Sequence, residues 1–325
     1  MLAVDSAVDA QGRSRIAARI LEQWEHDPES ARFFRSSANF VYTFRKADER
    51  YFLRFADSAE RSEAEISAEL ALLRWLAQQG LLVPTPIASK RGRWMETVET
   101  DLGTFHAVVF AALRGAQLEI DELSETQFEL WGASLGKLHA AMRRYQGSEV
   151  SARRTWKGHL TMVRSLISEN EPRVQAECDY LTTWLSGLPM TETNYGLIHG
   201  DFELDNLFWS DGALGMLDFD DCAYSWYAAD IALALRDLFE TGVDLRNPSL
   251  LAFIRGYAQH ASIDDEVMAQ LSIWLRLANL IIYAKLMRAL DLDAGKNYPE
   301  DFISLQRKLQ RWADNYSASL LAIPL

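Results

Sequence analysis

The chain has 325 residues, 49% of them hydrophobic, which is enough to build two lobes that each bury a core. Its formal net charge of −13 argues against a nucleic-acid or anionic-membrane partner, whose phosphates would be repelled.

Ile16, Ile20, Leu21 and Trp24 recur at helical spacing, which predicts a helix over residues 14–24. Residues 40–44 and 51–55 are aromatic-rich, strand-like runs that flank a polar turn and predict a hairpin. Residues 62–79 carry Ile66, Leu70, Leu73 and Leu76 at helical spacing and stop at Gly80. Pro84 and Pro86 interrupt the pattern, and residues 94–98 and 104–110 predict a second hairpin around Asp101-Leu102-Gly103. Beyond residue 113 the periodicity is mostly helical, over 121–142, 156–169, 173–185, 227–240, 249–260, 264–290 and 300–321. Short apolar runs at 195–198, 207–209 and 214–217 interrupt it. With the turn Ser210-Asp211-Gly212 between the last two, a strand-turn-strand unit would return Asn206 towards Asp218.

The chemistry concentrates in those interruptions. His199-Gly200-Asp201 is followed by Asn206, then by Asp218-Phe219-Asp220, each set flanked by apolar runs. Phosphoryl transfer is mostly positioning and charge neutralisation, and magnesium takes one or two carboxylates with neutral oxygens and water. Asp218 offers the charged ligand and Asn206 a neutral one, which leaves Asp201 to accept or orient a hydroxyl proton. Asp220 reads as a second carboxylate at the metal or as a shaper of the turn.

His-x-Asp-x-x-x-x-Asn resembles the kinase catalytic loop, and Asp218-Phe219 stands where a kinase has its metal-binding Asp-Phe-Gly. Gly200 and Asp220 depart from the protein-kinase pattern and resemble instead the aminoglycoside phosphotransferase/choline kinase family. The resemblance implies an α+β, two-lobed, protein-kinase-like fold. A small antiparallel-sheet lobe with one long helix would occupy residues 1–110, and a mainly helical lobe residues 111–325. It implies ATP and Mg2+ as cofactors and a small-molecule hydroxyl acceptor, such as an aminoglycoside or amino alcohol. A protein-directed kinase and a nucleotide-binding pseudoenzyme are the alternatives. Arg54 would contact the phosphates, in place of the family's usual lysine, and pair with Glu69 or, one turn earlier, Glu65. Ser37 and Asn39 would lie in the phosphate-covering loop, the adenine against Phe110 and Ala112. Asp230 would hold the catalytic-loop backbone.

Other signals read as structure. Gly132-Ala133-Ser134-Leu135-Gly136 matches a nucleophile elbow, but one helical apolar pattern runs through it. His26, His106, His139, His159 and His260 are dispersed, and Tyr224, Trp226 and Tyr227 form a core cluster more readily than a cation–π wall. Cys178 and Cys222 lack paired spacing, which argues for a reducing compartment. The opening residues lack a basic-then-apolar leader, and the 273–290 run carries Arg276, Lys285 and Arg288. A cytoplasmic location is expected.

Overall fold

The computed structural model describes residues 8–36, 39–147, 153–168, 171–239, 242–263, 265–290 and 300–321. The chain packs as two compact units. The first comprises Met1–Leu118, Arg144–Arg153 and Asp205–Asp220; the second comprises Glu119–Arg143, Arg154–Leu204 and Asp221–Leu325.

Helix α1 (Arg15–Leu21) starts at Ser14, whose hydroxyl accepts from the Ile16 amide at 3.2 Å. Strands β1 (Arg32–Ser36), β2 (Phe40–Lys46) and β3 (Glu49–Asp57) follow. The β2–β3 hairpin turns through Ala47 and Asp48, both at positive φ, a twist that suits the two strands. Helix α2 (Glu63–Gln78) opens on a reciprocal capping box between Ser62 and Glu65. Strands β4 (Pro86–Ile87), β5 (Glu96–Thr100) and β6 (Gly103–Ala111) complete an antiparallel sheet of order β1-β2-β3-β6-β4, with β5 also paired to β6. Alternate residues of β2 point into an aromatic core, where Phe40 stacks on Phe55 and Phe105 meets Phe55 edge-on.

The second unit begins with α3 (Glu125–Arg143), then β7 (Arg154–Thr155), α4 (Trp156–Leu166), α5 (Pro172–Gly187) and β8 (Tyr195–Ile198). The chain next contributes the hairpin β9 (Leu207–Ser210) and β10 (Ala213–Met216) to the first unit. Trp209 and Ala116 exchange backbone hydrogen bonds at 2.8 and 3.0 Å, and the Met216 amide donates to the Leu82 carbonyl at 2.8 Å. Gly115 permits this approach, because a Cβ there would lie 2.6 Å from the Trp209 carbonyl oxygen. Through these bonds segments 111–118 and 205–220 pack with the rest of the first unit.

Strand β11 (Ala223–Trp226) pairs with β8 and β7, and α6 (Tyr227–Ala234), α7 (Pro248–Tyr257), α8 (Asp265–Ala269), α9 (Leu271–Leu290) and α10 (Glu300–Leu321) follow. The single helix read over 264–290 is two, α8 and α9, since the Gln270 carbonyl closes a short turn onto the Ile273 amide. Apolar spacing carries through such a break unchanged, which is why periodicity does not register it. Gly132 and Gly136 of α3 face α7, where added Cβ atoms would sit 1.8 Å from the Phe253 and 2.6 Å from the Tyr257 carbonyl oxygen. The apparent nucleophile elbow is therefore a close helix–helix contact. Trp226 packs against Tyr195, Trp156 and Trp274, so that aromatic cluster is core. Among the described residues, no helix is long and apolar enough to cross a membrane.

Candidate active site

In the first unit, β3 carries Arg54 with its side chain 13% exposed. Its Nη2 donates to Glu69 Oε2 of α2 at 2.6 Å, its Nη1 to Asp220 Oδ1 at 2.7 Å, and its guanidinium lies over the Phe110 ring, 5.1 Å from the centroid. Glu65 is engaged in the capping box, so Glu69 is the helix partner. Arg61 closes the ring of charges: its Nη2 donates to Glu69 Oε2 at 3.1 Å and its Nη1 ion-pairs with Asp220 Oδ2 at 2.8 Å. Asn39 Nδ2 donates to the same Asp220 oxygen at 2.5 Å. Burial works against the Asp220 charge, but Arg54 and then Arg61 outweigh it and hold this carboxyl well below the usual range. Burial lifts the Glu69 carboxyl, and the neighbouring Asp220 charge adds to it.

Sequence reasoning missed Arg61, though a signal exists. A cation immediately before the Ser62 N-cap opposes the helix dipole unless a carboxylate within reach compensates it. It also missed β1 and with it Arg35, whose Nη2 donates to Asp218 Oδ2 at 3.2 Å.

Asn206 and Asp218 stand at the two feet of the β9–β10 hairpin. Leu207 pairs with Met216, and one step further the Leu217 amide donates to the Asn206 carbonyl at 2.8 Å. Asp218 adopts φ 60°, a left-handed conformation that aspartate tolerates better than most residues and that recurs at functional sites. Both side chains are hard oxygen donors. Among the described residues, no group of three His, Cys, Asp or Glu could hold a metal ion. A cation at these two donors would complete its shell with water and phosphate oxygens, which fits magnesium and not structural zinc.

Ser37 lies outside the described residues. The Ala111 amide donates to the Thr85 carbonyl at 3.0 Å and the Ala112 amide to the Arg50 carbonyl at 3.3 Å, which pins the segment after β6.

In the second unit, β8 delivers His199-Gly200-Asp201. Asp230, in the first turn of α6 and fully buried, accepts the His199 amide on Oδ2 and the Gly200 amide on Oδ1, both at 2.8 Å. His139 Nε2 meets Asp230 Oδ2 at 2.9 Å, while its Nδ1 meets the Tyr257 hydroxyl at 2.9 Å. Burial alone would favour the neutral acid, but the His139 hydrogen bond and the loop amides hold Asp230 ionised. The Asp201 amide donates to His199 Nδ1 at 3.2 Å, which places that ring's proton on Nε2. Gly200 sits at φ 80°, and a Cβ there would lie 2.4 Å from the Asp221 carbonyl oxygen. No side chain fits, which explains the glycine in this loop.

Further polar groups pair around the loop. Arg236 forks onto both Glu203 oxygens at 2.6 and 2.8 Å, and Lys285 Nζ donates to Asp221 Oδ2 at 2.6 Å. Burial pushes Glu203 up to about 7 against the pull of Arg236, with the Asp201 charge contributing.

Known proteins bear on this arrangement. A model of the phosphotransferase enzyme family matches residues 30–271. The chain is 25% identical over 307 residues to amicoumacin kinase of Bacillus subtilis (strain 168), covering 91% of each. Among solved structures, the amicoumacin kinase hAmiN in complex with AMP-PNP, Ca2+ and Ami is similar, with a TM-score of 0.80 at 24% identity over 98% of this chain and 96% of that one. A microcompartment-associated aminopropanol kinase gives 0.73 at 22% identity, over 94% and 95%. These likenesses show the fold, a protein-kinase-like one with an antiparallel-sheet N-terminal portion and a helical C-terminal portion.

Proposed function

Because the chain belongs to the phosphotransferase enzyme family, we propose that it is a kinase that moves the γ-phosphate of ATP to a hydroxyl of a small molecule. The observation that carries this reading is the β9–β10 hairpin. It brings Asn206 and Asp218 to its two feet, in the unit that also holds Arg54.

Asn206 and Asp218 would hold magnesium, which would supply positive charge against the charge of the phosphates. Arg54 steadies the phosphates, and Glu69 fixes its direction. Its guanidinium forks between two acceptors, so it can turn one arm to phosphate while the other keeps its carboxylate. Asp220, with both oxygens engaged by Arg54, Arg61 and Asn39, acts in this reading as the counter-charge that places Arg54, not as a ligand of the metal. Asp201 accepts or orients the acceptor's hydroxyl proton, on a loop that Asp230 holds rigid from below. Asn39, Phe110 and Ala112 border the nucleotide. The acceptor is a small amino-bearing alcohol, in keeping with relatives named for amicoumacin and aminopropanol. A cytoplasmic location agrees with ATP as donor.

Release of ADP from Mg-ATP, measured across amino alcohols, aminoglycosides and sugars, tests the reading. Acceptor-dependent release that Asp201→Asn abolishes is the expected result. ATP binding without release in the presence of any acceptor would overturn the small-molecule reading, and failure to bind Mg-ATP would overturn the kinase reading altogether.

A further inference from the structure

The second unit holds a pocket open at one side to solvent, with about 50 Å3 of enclosed space and about 620 Å3 when the solvent space at its mouth is counted, and the catalytic-loop residues Gly200 and Asp201 form part of its lining. Its walls are apolar: Trp156 from α4, Ile198 from β8, Leu233 from α6, and Leu277, Ile281 and Ile282 from α9. Among the described residues that line it, Asp201 is the one carboxylate and Lys285 the one permanent cation. Lys285 is ion-paired with Asp221, which takes that second carboxylate out of service as an amine acceptor. Glu203, an acidic residue of the same loop, has both oxygens on Arg236. A molecule that carries several ammonium groups would thus meet hydrocarbon and an existing ammonium where it needs carboxylates, and each unpaired charge would lose its hydration for nothing.

We infer that the acceptor has an apolar body, ring-sized or branched, and at most one ammonium group, and that it seats this body against the α4–α9 wall with its hydroxyl at Asp201. The inference rests on the kinase reading above and narrows it: aminoglycosides with several ammonium groups are excluded, and amino alcohols with a hydrocarbon body are selected. Lys285 is the specificity determinant in this arrangement, because its ammonium neutralises Asp221 beside the pocket and leaves no carboxylate there for a second ammonium.

The test uses the full chain with Mg-ATP and two acceptor sets, amino alcohols of increasing apolar size and aminoglycosides with several ammonium groups. Values of kcat/KM for the first set should rise with apolar size and exceed those of the second by at least about tenfold. Ile281→Glu, at a half-buried position, should raise KM for the apolar set by about tenfold with kcat changed less. Lys285→Gln should shift relative kcat/KM about tenfold towards dicationic acceptors, since Asp221 then loses the ammonium that neutralises it. A thermal unfolding midpoint for each variant identifies misfolding, and Lys285→Gln gains a preference that misfolding cannot produce. Faster turnover of the polycationic set by the unaltered protein would overturn the inference and leave the kinase reading intact. If neither set releases ADP, calorimetric binding of the apolar amino alcohols to Asp201→Asn protein decides: binding that Ile281→Glu weakens upholds the pocket assignment without the kinase reading, and absence of binding overturns it.

Discussion

Two aspartates, one in each unit, each bind with both oxygens, yet they are held by different physics. Asp220 of the first unit is surrounded by side-chain charge from Arg54 and Arg61, with the Asn39 amide added. Asp230 of the second unit is fully buried and accepts the main-chain amides of His199 and Gly200 together with the His139 ring. Guanidinium–carboxylate contacts can exchange partners when phosphate arrives, because a planar fork offers several equivalent donors. Main-chain amides cannot exchange: they fix the course of the loop itself. The first unit therefore sets charge around Arg54 and Asp220, and the second sets the position of the His199–Asp201 loop. On the kinase reading, that separation matches what the reaction needs from phosphate binding and from hydroxyl orientation respectively.

The sharpest way to break this comparison is Asp230→Ala. It strands the buried His199 amide, the part-buried Gly200 amide and Nε2 of the His139 ring, and the expected loss of unfolding free energy is about 3–5 kcal/mol in a urea titration. In protein that remains folded at low temperature, kcat should fall by about 100-fold, because the loop loses its register, while KM for ATP stays within about twofold. A dominant rise in KM for ATP would mean that Asp230 serves the nucleotide, and the contrast between units would collapse. The mirror-image variant is Asp220→Asn. It leaves Glu69 as the one carboxylate hydrogen-bonded to the two guanidinium groups, with an expected destabilisation of about 2–4 kcal/mol and a KM for ATP raised by more than kcat is lowered. Smaller again is Arg54→Lys. An ammonium keeps the charge but cannot fork between Glu69 and Asp220, so a loss of about 1–2 kcal/mol and a KM for ATP several-fold higher are expected. Unchanged affinity for ATP in both variants would show that the charge ring is structural only.

The contrast also explains what the sequence disclosed. Position was legible where it depends on local pattern. Asn206 and Asp218 could be brought together on paper because a two-residue turn and flanking apolar runs dictate a hairpin, and a hairpin has two feet. Asp230 was legible through its place just after the loop in a resembling family. Charge was less legible. Arg61 reaches Glu69 and Asp220 from a connecting turn, and nothing in the spacing of residues announces that two arginines share two acids. Arg35 was hidden because β1 is exposed along most of its length, so it lacks the alternation that reveals a half-buried strand. The pocket beside Asp201 was hidden for a third reason: its wall combines residues of α4, β8, α6 and α9, and apolar periodicity states that a helix has a buried face without saying against what.

An effect on stability with no expected change in the kinetics with ATP belongs to His159 of α4, a half-buried residue of that pocket wall. Burial pushes its pKa down to about 4, the Lys285 and Arg154 charges push the same way, and Asp221 opposes them. An unfolded histidine titrates near 6.5, so between about 6.5 and 4 the unfolded chain binds a proton that the folded chain refuses. The stability that His159 contributes is therefore fully present above that window and is lost as pH falls through it. For a partly exposed group the loss should be about 1–2 kcal/mol. Asp220 and Asp230, both depressed, add losses only below the ordinary carboxylate range. Glu203 works in the opposite sense: raised to about 7, it holds a proton in the folded state that the unfolded chain releases, and it gains stability as pH falls towards about 4.3. Urea midpoints of the unaltered protein alone would mix the two. The difference between it and His159→Gln, taken at pH 7, 5.5 and 4.5, isolates the histidine. That difference should shift by about 1–2 kcal/mol in favour of the glutamine as the pH drops. A difference independent of pH would mean that His159 takes up its proton in the folded state, beside Asp221 and against Lys285, and that the pocket wall is more polar than its composition indicates.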